Sequence, residues 1–340
     1  MPQRRTVLGG LAALAAAPSV VAAQTPAVAG EVLLVMEKTA ATLAFLDASS
    51  GARLGEVRLP PFPHEFVVSS DNRTAFVGHY GVESSANPGE GGHAVLVVDL
   101  RERRVARSIE CSPFNRLHGM ALDSRDRLYA LSEEKAVLLS IDEPLNATAP
   151  SSAVAAGGLK THLFSLSRDG ERAFVTGLLS NTATLVRPRD ASVAPVSVTT
   201  GRMPEGNCLS PDERTLFVAN RRSGTLVAIE TDSMRIRFTK QLGGDPLRVY
   251  ALPDGRLLVT NLQARTITML SPEMEEIAVV QLDAIPAAAS LHPSRPVAFV
   301  SLSSDKVAVL DLDTRRIEAQ FATKAGADVT RLIPAGALAG

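Results

Sequence analysis

Along most of the chain, short apolar runs of four to six residues alternate with polar turns, and one phrase keeps returning. A small-residue turn leads into an apolar strand, a polar turn often containing Asp follows, and a second apolar strand comes next. It reads Pro63-His64-Glu65-Phe66-Val67-Val68, Ser69-Ser70-Asp71-Asn72-Arg73 and Ala75-Phe76-Val77. It returns at Leu117-His118-Gly119, Thr161-His162-Leu163, Pro204-Glu205-Gly206, Pro246-Leu247-Arg248 and Pro286-Ala287-Ala288, each with its own turn and second strand. From His118 onward the copies are about 40 to 44 residues apart, a period that marks a repeat architecture. The first interval is longer because residues 78–92 form an insertion.

Each copy continues into a third apolar strand, such as Val95-Leu96-Val97-Val98-Asp99, and a more polar fourth, such as Arg316-Ile317-Glu318-Ala319-Gln320-Phe321. Four short strands per repeat, with turn chemistry at every junction, predict the blade of a β-propeller. The ends complete the count. Glu31-Val32-Leu33-Leu34-Val35-Met36 matches a second strand with no first strand before it. Ala327-Asp328-Val329-Thr330-Arg331-Leu332-Ile333 matches a first strand with nothing after it. The C-terminal segment is therefore expected to complete the N-terminal blade, closing an all-β ring of seven four-stranded blades without a free edge.

Ahead of the ring, Arg4 and Arg5 precede an apolar stretch from Leu8 to Ala17, and Val21-Ala22-Ala23 supplies small residues before Gln24. This reads as a signal peptide over residues 1–23, of twin-arginine type, with a general secretory signal as the alternative. A single propeller domain over residues 24–340, periplasmic or secreted from a bacterium, follows from that reading. The segment is too short to leave a membrane span.

Composition narrows the partners. The 340 residues carry a formal charge of −1, or about −3 without the two arginines, so no basic surface for nucleic acid is expected. Hydrophobic residues are 45% of the chain but aromatics only 4%, so Val, Leu, Ala and Ile must fill the core. Cys111 and Cys208 fall in different blades and are expected as buried, unpaired thiols.

The phrases Ser210-Pro211-Asp212, Phe217-Val218-Ala219-Asn220 and Leu258-Val259-Thr260-Asn261 resemble the repeat signature of YVTN-type propellers, including the periplasmic YncE-like proteins. The resemblance covers nearly all of the exported chain and implies architecture more than activity. It also relates the chain to lactonase propellers and to the propeller that holds a copper cluster in nitrous oxide reductase. With only six histidines here, that copper cluster is not expected.

In a propeller the innermost strands line a central channel, so equivalent positions form a ring. The second position of the repeated triplet reads His64, His118, His162, Glu205, Leu247, Ala287, Asp328. The third reads Glu65, Gly119, Leu163, Gly206, Arg248, Ala288, Val329. Imidazoles with a carboxylate suit a divalent first-row metal, zinc or similar, and His64, His118, His162 and Glu205 are the candidate ligands. The same mouth suits a small anionic or polar ligand, with Arg248 and the histidines meeting its charge and Asp328 beside them. Glu65 and Glu205 are the candidate bases if the protein is a metal-assisted lactone hydrolase or lyase. A scaffold that binds a partner protein, its channel holding only water, is the third reading. The insertion lies on the same face, and His79 and Tyr80 are expected to fold over the mouth as a lid. Asn220-Arg221-Arg222 and Asn261 are expected at the rim. His292, in a turn on the opposite face, reads as a surface residue. No phosphate-binding glycine loop, haem-attachment motif or Gly-x-Ser-x-Gly elbow occurs.

Overall fold

The second and third strands of each repeat have apolar residues on both faces, which only makes sense for a sheet covered on both sides. The computed structural model describes residues 30–338, and the proposed signal segment lies outside them. Seven four-stranded antiparallel sheets form seven blades arranged as a ring. The inner strands are Ala327–Pro334 for blade 1, then Pro63–Val68, Leu117–Leu122, Thr161–Leu166, Pro204–Leu209, Pro246–Ala251 and Pro286–Leu291 for blades 2 to 7.

Blade 1 is closed as the repeat count requires. Its inner strand comes from the C-terminus and pairs with Glu31–Glu37, Leu332 opposite Leu33 and Thr330 opposite Val35. The seal adds one inner strand from the far end of the chain, so no unpaired edge is left between first and last blades.

Seven separate apolar clusters hold the ring, one at each junction between neighbouring blades. The alternation of a strand explains this. Val32, Leu34 and Met36 point to blade 2 and meet Phe66 and Val77, while Leu33 and Val35 point to blade 7 and meet Phe299 and Val307. Each fully buried aliphatic side chain contributes about 1.5–3 kcal/mol relative to exposure. The outermost strands face solvent and alternate in burial, as in Arg104–Glu110.

The recurring Asp of the turns is structural. Asp71, Asp169 and Asp212 each accept a hydrogen bond from the serine two residues earlier, at 2.6 Å, and from the backbone amide two residues later. These side chains build the turn on the face opposite the channel mouth. His292 is on that face but is buried, correcting the expectation of a surface residue. Its Nε2 lies 3.0 Å from Glu31, which joins blade 7 to blade 1. Cys111 is buried and Cys208 partly buried, and both are free thiols.

Candidate functional site

Every inner strand carries a register shift near its start, seen as a break in its pairing with the second strand in all seven blades. Such a bulge inserts an extra residue and re-aims the side chains beside it. It explains why two consecutive positions, His64 and Glu65 for example, both meet residues of other blades. The close approach of neighbouring inner strands also needs glycine. A Cβ on Gly206 would stand 2.5 Å from Arg248 Cα and 2.6 Å from the Leu247 carbonyl.

The three histidines are brought into one stack. The ring centroids of His64 and His118 are 4.1 Å apart and those of His118 and His162 are 3.7 Å apart. His118 is the middle ring, completely buried, and neither of its nitrogens has a hydrogen-bond partner among the described residues. Burial, and then the neighbouring His162 and His64, hold its pKa well below the usual imidazole range, so it is neutral.

The flanking rings differ. His64 Nδ1 lies 3.0 Å from Asp328 but without hydrogen-bond geometry, and burial lowers its pKa despite that carboxylate. Asp328 is itself held low: burial works against its charge, but His64 outweighs it. His162 instead has a carboxylate at each nitrogen, Glu133 at 2.7 Å from Nδ1 and Glu205 at 3.5 Å from Nε2. Burial opposes its charge, but the two carboxylates win and raise its pKa to about 9. Glu205 goes to about 2: desolvation is again overcome, here by His162 and then Arg221, whose guanidinium is 2.8 Å away. Arg221 also reaches Asp245 at 2.9 Å. Glu205 is thus a poor base near neutral pH.

Arg248 reaches from blade 6 to Glu65 of blade 2 at 2.6 Å, spanning the channel. Arg248 lines two chambers, and Glu65 lines the second of them. The outer one, about 340 Å³, includes Lys38, His64, His162, Glu205, Arg221 and Asp328 on its polar side. The inner one, about 180 Å³, is lined by Glu65, Met120, Phe164, Cys208 and Tyr250 among others. A larger cleft of about 490 Å³ lies between blades 5 and 6 near Phe238, away from the channel, and gathers no ligand set.

The insertion is not a lid over the mouth. Tyr80 is 1% exposed and sits in the channel wall, its ring edge-on to His118 at 5.2 Å and its hydroxyl donating to Glu133 at 2.9 Å. His79 turns away and lies 3.2 Å from the Pro61 carbonyl. The rest of the loop is tied to blade 3, where Arg116 donates to the carbonyls of Asn87 and Gly89 and Asn115 donates to that of Glu90. Asn220 and Asn261 are also buried rather than forming a rim: Asn220 accepts from Thr200, which follows the outer strand of blade 4, and donates to Thr225 of its own blade, and Asn261 donates to Thr266 and Thr268 of its own blade.

Three further site residues come from a second ring. The residue following each second strand reads Lys38, Tyr80, Glu133, Leu178, Arg221, Leu262 and Ser303 around blades 1 to 7. Glu133 and Lys38 were not singled out from the sequence, and Arg221 only as a rim residue. The repeat register carries the signal, because it places these positions beside the inner-strand triplets.

Two sets of three potential ligands have donor atoms within 4.8 Å of one another: His64, Glu65 and His118, and His118, Glu133 and His162. Ligand atoms around a tetrahedral zinc with bonds of 2.0–2.1 Å stand about 3.3 Å apart, which falls within that limit.

Solved structures with this architecture are numerous. A functionally unknown protein from Desulfotomaculum acetoxidans DSM 771 superposes with a TM-score of 0.73 at 12% identity, over 88% of this chain and 98% of that one. Hydrazine synthase of Kuenenia stuttgartiensis gives 0.69 at 14% identity, over 82% and 92%. The dihydro-heme d1 dehydrogenase NirN, in complex with DHE, gives 0.64 at 13% identity, over 95% and 79%. No protein-family model and no curated protein matches the sequence. The chain is a seven-bladed β-propeller. At these identities the likeness is one of fold.

Proposed function

We propose that this chain is a YncE-like periplasmic propeller that binds a divalent first-row metal, zinc or similar, in the throat of its channel. His64, His118 and Glu65 hold the ion. The observation that carries the reading is His118: a fully buried imidazole, between two other imidazoles, with neither nitrogen partnered among the described residues. A buried polar group normally has a partner, and one without calls for an explanation such as an ion.

The choice between the two ligand sets rests on what each side chain already bonds. His162 has a carboxylate at both nitrogens, and Glu133 is engaged by His162 and Tyr80. Among the described residues, His64 Nδ1 and both nitrogens of His118 have no hydrogen-bond partner. Glu65 gives one oxygen, Oε1, to Arg248, and its other oxygen is left for an ion. His162, Glu205 and Arg221 then form the wall beside the ion. Periplasmic export rests on the arginine pair and apolar segment at the N-terminus, and family membership on the repeat phrases.

Metal analysis of protein prepared without chelator, then dialysed against Zn²⁺, tests the reading. One ion per chain is expected, falling to none in His118→Phe, which keeps an aromatic ring in the stack. Less than a tenth of an ion per wild-type chain overturns it.

A further inference from the structure

The rim of the mouth across blades 3 to 5 is one continuous surface, joined loop to loop. Lys160 Nζ lies 3.1 Å from Glu134, and the Leu179 amide donates to the Leu159 carbonyl at 3.2 Å. Asn181 accepts from the Met203 amide at 2.9 Å, and the Arg222 amide donates to the Arg202 carbonyl at 3.1 Å. Leu159 and Leu179 stand side by side on this rim. They are 65% and 68% exposed, the highest values for large apolar side chains among the described residues. At the position of Leu179 the other blades carry Thr39, Gly81, Glu134, Arg222, Gln263 and Ser304, so the repeat does not call for a leucine there. Adjacent exposed leucines in a polar rim fit an interaction surface.

The charges around the pair have one dominant sign. Lys135, Arg202 and Arg222 flank it, all exposed, and none forms an ion pair among the described residues. The opposite sign stands on the same face, on the insertion of blade 2. Glu83 is exposed and forms no ion pair among the described residues. The Glu90 side chain is 77% exposed and faces only His93, at 3.3 Å. Within one chain the insertion is held at blade 3 by Arg116 and Asn115, two blades from Arg202 and Arg222.

Between two chains facing mouth to mouth, the two charged regions meet twice. A twofold axis past Leu159, between blades 3 and 4, exchanges blade 2 with blade 5. Each insertion then lies on the other chain's basic rim, and the leucines of both chains come together near the axis. An apolar centre with a charged border is the usual anatomy of an interface. The contact uses the same patch on both chains, so it closes at two copies. We propose that the rim around Leu159 and Leu179 binds a second copy of this chain, with Glu83 and Glu90 of each copy against Arg202 and Arg222 of the other. The proposal goes beyond the metal reading and does not depend on the ion.

Sedimentation velocity of the full chain over a series of concentrations tests it. A dimer is expected at low salt, and molar salt should weaken it at least tenfold because its charge contacts are screened. Leu159→Ser combined with Leu179→Ser should also weaken it at least tenfold. Glu83→Arg with Glu90→Arg should leave monomers, and so should Arg202→Glu with Arg222→Glu. An equimolar mixture of these two charge-reversed chains should dimerise again, since every insertion then meets a rim of opposite sign. All six positions are exposed, and thermal melting close to that of the wild type shows that each variant is folded. A wild-type chain that stays monomeric at low salt overturns the proposal, and flotation of that monomer with phosphatidylglycerol vesicles would assign the rim to a lipid surface instead. A dimer indifferent to both charge reversals, or reversed chains that do not pair when mixed, overturns it as well.

Discussion

Glu65 of blade 2 and Arg248 of blade 6 form an ion pair at 2.6 Å across the central channel, joining blades on opposite sides of the ring. Their side chains are only 11% and 12% exposed, so each charge is largely withdrawn from water and is compensated by the other. Arg248→Met leaves a buried carboxylate unpaired, and breaking such a pair costs about 3–5 kcal/mol. Chemical denaturation should show a loss of that order. Added Zn²⁺ should restore a part of it in Arg248→Met, because an ion on Glu65 replaces the missing positive charge. No recovery with zinc would separate Glu65 from the ion site.

His162 makes stability depend on pH in a defined window. Its folded-state pKa of about 9 lies above the value near 6.5 of an unfolded chain. The proton is therefore bound more tightly in the folded state. The resulting stability is fully present below pH 6.5 and is lost as pH rises through 9. For metal-free protein, unfolding free energy should fall by up to about 3 kcal/mol between pH 6.5 and 9. Glu133→Gln should shrink that fall. A flat profile in the wild type would contradict an imidazolium held between Glu133 and Glu205.

Gly206 sets the spacing of blades 5 and 6 at the mouth. With backbone atoms of Leu247 and Arg248 within 2.6 Å of any added Cβ, Gly206→Ala must push the inner strands apart. Overpacking of this kind costs about 1–3 kcal/mol. Thermal melting should show the loss, and an unchanged melting temperature would mean the strands are further apart than described.

Closure by the C-terminal strand is equally open to test. Ending the chain after Gly326 removes the inner strand of blade 1 and uncovers Leu33 and Val35, which it pairs with and covers. Such a chain should fail to fold cooperatively, or should aggregate through the exposed edge. Supplying a peptide spanning residues 327–338 should recover a cooperative transition. Normal melting of the shortened chain without the peptide would rule out the closure.

The ring and its blade count were legible because the repeat fixes both the period and the strand each residue occupies. His64, His118, His162 and Glu205 share one repeat position, so their convergence followed from counting. Glu133 was not read because a charged triplet, Glu133-Glu134-Lys135, looks like any solvated turn until the second-strand ring is aligned. Tyr80 was misread for a related reason. Glycines around the insertion suggested mobility, while the contacts that fix it, Arg116 and Asn115 of the next blade, lie more than twenty residues away. His292 shows the same limit, since its partner Glu31 stands at the other end of the chain.

The location of the ion tests the central claim most directly. Crystals soaked in Zn²⁺ and measured on both sides of the zinc absorption edge would place it by anomalous scattering. One peak within bonding distance of His64, His118 and Glu65 is the predicted result. A peak between His162 and Glu133, or no peak in the channel at saturating zinc, would contradict the account.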